Sequence, residues 1–307
     1  MNRRYALISP CRNEADYMLQ TLDSVVAQSV QPAKWIIVDD GSTDKTPKIL
    51  QDYASKHDWI EIITRENRGH RAVGPGVIDA FYTGYDSIKP EDYDYLCKLD
   101  LDLRLPGGYF EELMIRMETN PRIGTCSGKS YIEERGNLVD EKKGDEMSLG
   151  MTKFYRVDCF QQIGGFVREV MWDGIDCHRC RMLGWVACSW NDPELRFVHL
   201  RPMGSSQNSI YTGRMRHGFG QYFMGTGFLF MTVSSVYRML EKPYVFGGLA
   251  MLWGWVLSAL KGRARYNDIE FRQFLRQYQL RALLVGKSKA IKEIDERNSV
   301  LFKAANE

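Results

Sequence analysis

The chain has 307 residues, 44% hydrophobic and 26% charged, a balance that belongs to folded globular proteins and excludes disordered, collagen-like and low-complexity classes. Lysine plus arginine (41) against aspartate plus glutamate (39) leaves +2, so no global positive field is available to gather nucleic acid, and no nucleic-acid partner is expected. The seven cysteines are odd in number and too sparse for a disulfide framework, which points to a reducing compartment.

The N-terminus runs into Ala6-Leu7-Ile8 and is broken by Pro10 and Arg12, so it reads as a first strand and not as a signal peptide. The chain is therefore expected to start in the cytoplasm. Residues 5–9, 35–39, 59–64 and 95–99 are short apolar runs bounded by polar or turn residues and predict buried strands. Between them, residues 14–28, 43–57 and 72–88 are sized as helices. This alternation predicts an α/β fold with a mostly parallel sheet covered by helices on both faces. Ligands of such sheets bind outside the carboxyl ends of the strands.

The texture changes near residue 217. Residues 219–237 and 243–260 carry no formal charge and approach the roughly 20 residues of a bilayer crossing. A hairpin through the membrane would translocate Arg238-Met239-Leu240-Glu241-Lys242, against the positive-inside tendency. Gly220, Gly225, Gly227 and Gln221 are also poor lipid-facing material, whereas Trp253, Trp255, Tyr222, Tyr237 and Tyr244 suit a headgroup boundary. The expectation is therefore a monotopic or re-entrant arrangement, with a buried core or an oligomer interface as the alternative. Residues 261–307 add 11 basic groups against six acids, and residues 266–285 read as a basic amphipathic helix fitted to an anionic leaflet. The resulting division is a domain over residues 1–215 and membrane-interface helices with a basic tail over residues 216–307. The exposed aromatic helices also make self-association an expectation.

Chemistry gathers where the strands end. Asp39-Asp40-Gly41-Ser42 closes the second strand with two carboxylates, a glycine turn and a helix-capping cluster, at the edge where a ligand would sit. A solvated turn explains Gly41, Ser42 and Asp44 but not why a buried strand ends in two acids. Asp100-Leu101-Asp102 repeats the pattern at the fourth strand, where alternation would put both carboxylates on one face, suited to a hard cation completed by a diphosphate. Cys177-His178-Arg179-Cys180 offers three ligands on one helical turn with no second half, so buried cysteines on a helix face are expected instead of a metal centre.

Taken in order, Pro10-Cys11-Arg12-Asn13-Glu14, Ile37-Val38-Asp39-Asp40-Gly41-Ser42-Thr43-Asp44, Asn67-Arg68-Gly69, Asp100-Leu101-Asp102, Gly164-Gly165-Phe166 and Trp172-Asp173-Gly174-Ile175-Asp176 resemble the successive motifs of a family 2 glycosyltransferase. The resemblance covers roughly the first 205 residues. It implies the GT-A fold, a Rossmann-like mixed sheet flanked by helices, with a nucleotide-sugar donor, Mg²⁺ or Mn²⁺, and inversion at the anomeric carbon. Carried over, Pro10 and Glu14 lie at the donor nucleotide, Asp39 or Asp40 contacts base or ribose, and Asp100 and Asp102 form the metal motif with Asp102 the direct ligand. His199 would complete the metal shell, and Arg201, ahead of the loop at residues 204–207, would bind phosphate. Arg68 or Arg71 would face phosphate or stand as a solvated loop charge. The segment after Gly-Gly-Phe departs from the family pattern by one extra residue between its acids; Asp173 is taken as the general base, with Asp176 as the alternative.

A cytoplasmic sugar transferase that grips the membrane is expected to extend a polyprenyl-diphosphate-linked saccharide from a UDP-sugar, as exopolysaccharide and O-antigen enzymes do, on the cytoplasmic face of the inner or plasma membrane. Two rivals are a nucleotidyltransferase that makes a nucleotide-sugar and a non-catalytic membrane scaffold of a polysaccharide assembly complex. The first would want a glycine-rich loop after the first strand, which Pro10 to Glu14 lacks. The second would have lost its acids, and Asp102, Asp173 and Asp176 are all present.

Overall fold

A computed structural model of the chain describes residues 3–69, 74–201, 210–240 and 243–306. They fall into two compact units, one within residues 1–168 and 185–201 and the other within residues 169–184 and 202–307.

The first unit holds strands β1 (Tyr5–Cys11), β2 (Lys34–Asp39), β3 (Ile60–Thr64), β4 (Tyr95–Leu99), β5 (Leu103–Arg104), β6 (Ile123–Ser127), β7 (Lys129–Glu134), β8 (Asn137–Asp140), β9 (Thr152–Arg156), β10 (Val186–Ser189) and β11 (Arg196–His199). Its helices are α1 (Met18–Val26), α2 (Thr46–Ala54), α3 (Pro75–Tyr85), α4 (Tyr109–Thr119) and α5 (Val157–Gln162). Seven strands form one sheet in the order β10-β6-β9-β4-β1-β2-β3, and four form a second in the order β5-β11-β7-β8. β1 pairs in parallel with β2 and β4, while β9 runs antiparallel to both β4 and β6, so the large sheet is mixed.

β1 is buried along almost its whole length, the signature of a strand covered on both faces. Tyr5 and Leu7, with Trp35 and Ile37 of β2, join the core built by Met18, Leu22 and Val25 of α1, Leu50 of α2 and Phe110 and Leu113 of α4. Alternation turns Ile8 to the opposite face. That face is covered by α3, whose Phe81 meets Phe160 and Phe166 edge-on at 5.8 and 4.9 Å.

The helices are shorter than their sequence windows, for local reasons. Asn13 adopts a positive φ of 54°, and the amides of Asn13 and Glu14 donate to Ser42 Oγ and Thr46 Oγ1, each at 2.9 Å. The left-handed Asn13 and the turn after it, in which the Tyr17 amide donates to the Glu14 carbonyl at 3.0 Å, precede α1, which begins at Met18 and not at residue 14. α3 begins with Pro75, whose fixed φ suits a first turn; its expected residues 72 and 73 lie outside the described residues. None of the four expected strands lies in the small sheet. It arises because the chain leaves the large sheet at Leu99 and enters the small one at Leu103.

The second unit is helical: α6 (Trp172–Met182), α7 (Ile210–Met224), α8 (Phe228–Arg238), α9 (Val245–Leu260), α10 (Ile269–Val285), α11 (Lys287–Arg297) and α12 (Ser299–Asn306). α6 therefore groups with the C-terminal helices, across the boundary at residue 215 that the sequence suggested. Its buried Arg181 pairs with Asp295 at 3.2 Å, the Asn298 side chain donates to the Arg181 carbonyl at 2.7 Å, and His178 lies against Phe271, Phe274 and Tyr278. Cys177 and Cys180 are buried on the same helix.

The uncharged run 219–237 is divided between α7 and α8 by Gly225-Thr226-Gly227. α9 has 16 residues and spans about 24 Å at 1.5 Å per residue, short of a hydrocarbon core of about 30 Å. Among the described residues, no helix is long and apolar enough to cross a membrane. The stretch at residues 241–242 lies outside them.

Two other glycines of these helices serve close packing. A Cβ on Gly218 would stand 2.0 Å from the Met251 carbonyl oxygen, and one on Gly254 would stand 2.1 Å from that of Met215, so α7 and α9 touch backbone to backbone. Gly254→Leu is expected to cost about 3 kcal/mol by forcing these helices apart. A urea midpoint unchanged from wild type would show that they separate freely.

Candidate active site

The sequence-predicted carboxylates of the first unit stand at the carboxyl ends of β1, β2 and β4. In parallel register Cys11 lies opposite Asp39, and the Asp40 amide donates to the Cys11 carbonyl at 2.9 Å. Gly41 then turns with φ of 71°, and a Cβ there would stand 2.5 Å from Asn67 Cα, so only glycine lets the two loops close. The cluster after Gly41 knits loops together as well as starting α2. Asp39 Oδ1 accepts from the Ser42 amide at 2.9 Å, the Thr43 amide donates to Asn13 Oδ1 at 2.8 Å, and Asp44 accepts from the amides of Ala15 and Thr46. Pro10 is half-buried within β1 opposite Val38, on the strand that carries this corner.

Asp40 is the hub of a cationic rim. Its carboxylate pairs with Arg65 at 3.1 Å and with Arg68, its carbonyl accepts from Arg12, and Arg12 reaches Asn67 Oδ1 at 2.6 Å. Arg68 is thus engaged by a carboxylate, while His70 and Arg71 lie outside the described residues. Asp40→Asn would leave these guanidiniums around a neutral amide and is expected to lower stability by about 2 kcal/mol. Equal urea midpoints for variant and wild type would contradict that.

Asp100 and Asp102 are past the end of β4, in the crossing between the two sheets, so strand alternation does not govern them. The Asp100 amide donates to the Met151 carbonyl at 2.8 Å, on the side of the large sheet, whereas the Asp102 carbonyl accepts from the Leu200 amide at 2.8 Å, beside the small one. Their side chains differ accordingly. Asp100 pairs with the buried Lys98, and desolvation, reinforced by Asp102, holds its carboxyl above the usual carboxylate range. Asp102 is 4% exposed. Burial alone would raise its carboxyl, but His199 and Arg201 hold it below the usual range.

β11 delivers those cations. His199, its last residue, presents Nε2 3.6 Å from Asp102 Oδ2, and its Nδ1 lies 3.2 Å from Glu141 Oε2. Burial would lower the imidazole, but the two carboxylates outweigh it and raise it to about 9. Arg201 forms an ion pair with Asp102, Nε to Oδ2 at 2.6 Å, and donates from Nη2 to Glu14 Oε1 at 3.0 Å, and its guanidinium lies 5.5 Å from the ring centre of Tyr17. The structure therefore brings Glu14, Asp102, His199 and Arg201 into one buried network. Arg201 joins it as a clamp between carboxylates. The loop at residues 204–207 lies outside the described residues.

The residues fit a divalent cation. Asp102 Oδ1 is buried and has no hydrogen-bond partner among the described residues, and an unmatched buried acceptor costs about 1–3 kcal/mol. The carboxylate oxygen suits Mg²⁺ or Mn²⁺, and the imidazole beside it could join the shell of the softer Mn²⁺ once His199 sheds its proton. Among the described residues no three His, Cys, Asp or Glu side chains form a metal cage. Asp102 and His199 would therefore supply only part of the shell, leaving the rest to water and substrate.

Glu141, Arg12, Arg65 and Lys98 were not singled out by the sequence. Arg12 sits inside the Pro10–Glu14 motif, but Glu141 lies in a polar stretch with no spacing signal.

Asp173 and Asp176 belong to the second unit. Met171, left-handed at φ 65°, precedes α6, and Asp173 lies half-buried in the first turn, where the helix dipole favours a carboxylate. Asp176 is 1% exposed, and its Oδ1 accepts from the Cys177 amide at 2.6 Å.

The profile described as Glycosyl transferase family 2 matches residues 6–171, more than half of the chain. The poly-beta-1,6-N-acetyl-D-glucosamine synthase of Staphylococcus epidermidis is 27% identical over 130 residues, 42% of this chain and 29% of that protein, so the match spans less than a third of the curated relative. The mannosyltransferase PcManGT from Pyrobaculum calidifontis, solved in complex with GDP-Man and Mn²⁺, superposes with a TM-score of 0.52 at 16% identity, covering 97% of this chain and 87% of that one. S. aureus TarS 1–349 in complex with UDP-GlcNAc gives 0.52 at 15% identity over 98% and 92%. These two likenesses concern the fold, a GT-A-like mixed sheet flanked by helices. From the family match and the order of motifs it covers, the chain belongs to glycosyl transferase family 2 and is a glycosyltransferase.

Proposed function

We propose that the enzyme transfers a sugar, with inversion and dependence on Mg²⁺ or Mn²⁺, from a nucleoside-diphosphate sugar to a polyprenyl-diphosphate-linked saccharide in cell-surface polysaccharide synthesis. A UDP-sugar is the foremost donor, in keeping with the TarS complex with UDP-GlcNAc, although PcManGT was solved with GDP-Man. The observation that carries the reading is the buried, unmatched Asp102 Oδ1 beside His199, at the strand ends where this fold places its ligand.

The residues take the following parts. Asp39 and the Asp40 rim form the floor for base and ribose, with Pro10 in the strand beneath. Glu14 and Arg201 hold Asp102 in place. Asp102 and His199 would hold the cation, with Asp100 nearby, and that cation, when bound, supplies positive charge for the departing diphosphate. Asp173 takes the proton from the acceptor hydroxyl. Its half-exposed place at a helix start supports that role better than the enclosed Asp176.

The second unit lies in the cytoplasmic membrane interface. Support comes from α8 and α9, where Leu229 (60% exposed), Phe246 (67%) and Trp253 (52%) face solvent in a patch no soluble monomer needs.

The test is transfer from labelled UDP-GlcNAc, UDP-Glc, UDP-Gal and GDP-Man to a polyprenyl-diphosphate-linked sugar in vesicles. The expected result is transfer from one donor class, abolished by EDTA and restored by Mn²⁺, with inverted anomeric configuration in the product. Retention of configuration, or activity indifferent to EDTA, would contradict the reading.

A further inference from the structure

The second unit contains a cavity of about 380 Å³ between the start of α8, α9 and α10. Its walls are of two kinds. Phe228, Trp255 and Leu280 are apolar, while Arg265 and Arg276 bring two guanidiniums, and among the described residues no carboxylate lines it.

The floor is fixed. The Gln279 side chain donates to Thr226 Oγ1 at 3.0 Å and accepts from the Gly227 amide at 3.1 Å, Thr226 Oγ1 donates to Gln221 Oε1 at 2.7 Å, and Trp255 Nε1 donates to the Thr226 carbonyl at 3.2 Å. Each polar group there is matched, so the floor itself demands no ligand. The arginines differ. Arg265 rests 4.5 Å from the ring centre of Tyr222, and neither it nor Arg276 forms an ion pair among the described residues. Two arginines of the same unit are paired, Arg281 with Glu293 at 2.7 Å and Arg181 with Asp295.

We propose that this cavity binds the phosphate or diphosphate head of an amphiphile, with the hydrocarbon chain leaving across Phe228, Leu229 and Leu280. The chemistry follows from the walls: guanidiniums recognise phosphate oxygens, and the rings and Leu280 take a tail that inorganic phosphate lacks. The exit is apolar and open, since Phe228, Leu229 and Leu280 are all more than half exposed and continue onto the outer faces of α8 and α10. This site rests on the reading of the second unit as membrane-lying and gives it a specific lipid anion.

Calorimetric titration of the full chain in detergent would use farnesyl diphosphate, farnesol and inorganic diphosphate as probes. Wild type is expected to bind farnesyl diphosphate at least tenfold tighter than either other probe. The double variant Arg265→Gln/Arg276→Gln is expected to lose at least tenfold in that affinity, and Leu280→Trp, which fills the exit, to lose a similar factor. Unchanged thermal melting of both variants shows that they are folded. Equal binding of farnesyl diphosphate by wild type and variants overturns the site, and so does inorganic diphosphate binding as tightly as the amphiphile. Flotation with phosphatidylglycerol vesicles separates the two levels: flotation without farnesyl diphosphate binding overturns the cavity and leaves the membrane-lying reading standing, whereas loss of flotation overturns that reading.

Discussion

Asp102→Asn is expected to lower kcat/KM for sugar transfer on the order of 10³-fold, about 4 kcal/mol of transition-state stabilisation. The substitution keeps the size of the side chain and changes its charge at the point where a departing nucleoside diphosphate needs neutralising. Arg201 retains its second partner, Glu14 at 3.0 Å, so the clamp should survive and the fold with it. The loss is therefore expected in chemistry and in Mn²⁺ affinity together. Steady-state kinetics across a Mn²⁺ series measure both. Full activity at ordinary Mn²⁺ concentrations would remove Asp102 from the mechanism.

Asp173→Asn is the second large effect. A general base contributes about 10²–10⁴-fold, so kcat should fall by that factor while the KM for the donor stays near the wild-type value. The asparagine keeps a polar side chain in the first turn of α6, where the carboxylate's favourable dipole interaction is lost. Asp176→Asn makes the contrast. That residue is enclosed and caps the Cys177 amide at 2.6 Å, so its replacement is expected to lower thermal stability more than kcat. The reverse pattern, with Asp173→Asn active and Asp176→Asn folded but dead, would transfer the role to Asp176.

What could be read in the sequence was set by range. The strands at Tyr5–Cys11, Lys34–Asp39 and Tyr95–Leu99 were legible because parallel strands buried on both faces are written as continuous apolar runs. Asp39, Asp40 and Asp102 stood out in the sequence because acids at the ends of apolar runs conflict with burial. β7 and β8 were not: they pair with each other across Arg135-Gly136, but β8 and the end of β7 are exposed and read as loop, and β7's other partner, β11, is distant in sequence. Glu141 was hidden for the same reason: it reaches His199 across 58 residues. Local signals also misplaced helix starts. The windows that begin at Glu14 and Thr43 look helical, yet Asn13, Glu14, Ser42 and Asp44 give their hydrogen bonds to each other's loops.

α6 shows a further limit. Its residues follow the Gly-Gly-Phe motif directly, but Arg181 and His178 find their partners on α10 and α11, about a hundred residues later. A division drawn where hydropathy changes misses such a return. The arginines Arg12, Arg65 and Arg68 around Asp40 illustrate the converse, in which three unremarkable surface-type charges become a structured rim only when the strands are in register.

The most direct test of the account is the thermal stability of detergent-solubilised protein against UDP, GDP, dTDP and CMP, each with and without Mn²⁺, for wild type and Asp102→Ala. A ligand at 100 times its dissociation constant stabilises by about 2.7 kcal/mol. The expected result is a Mn²⁺-dependent rise with one of these nucleotides, absent in Asp102→Ala. No rise with any of them, in wild-type protein shown to be folded, would contradict it.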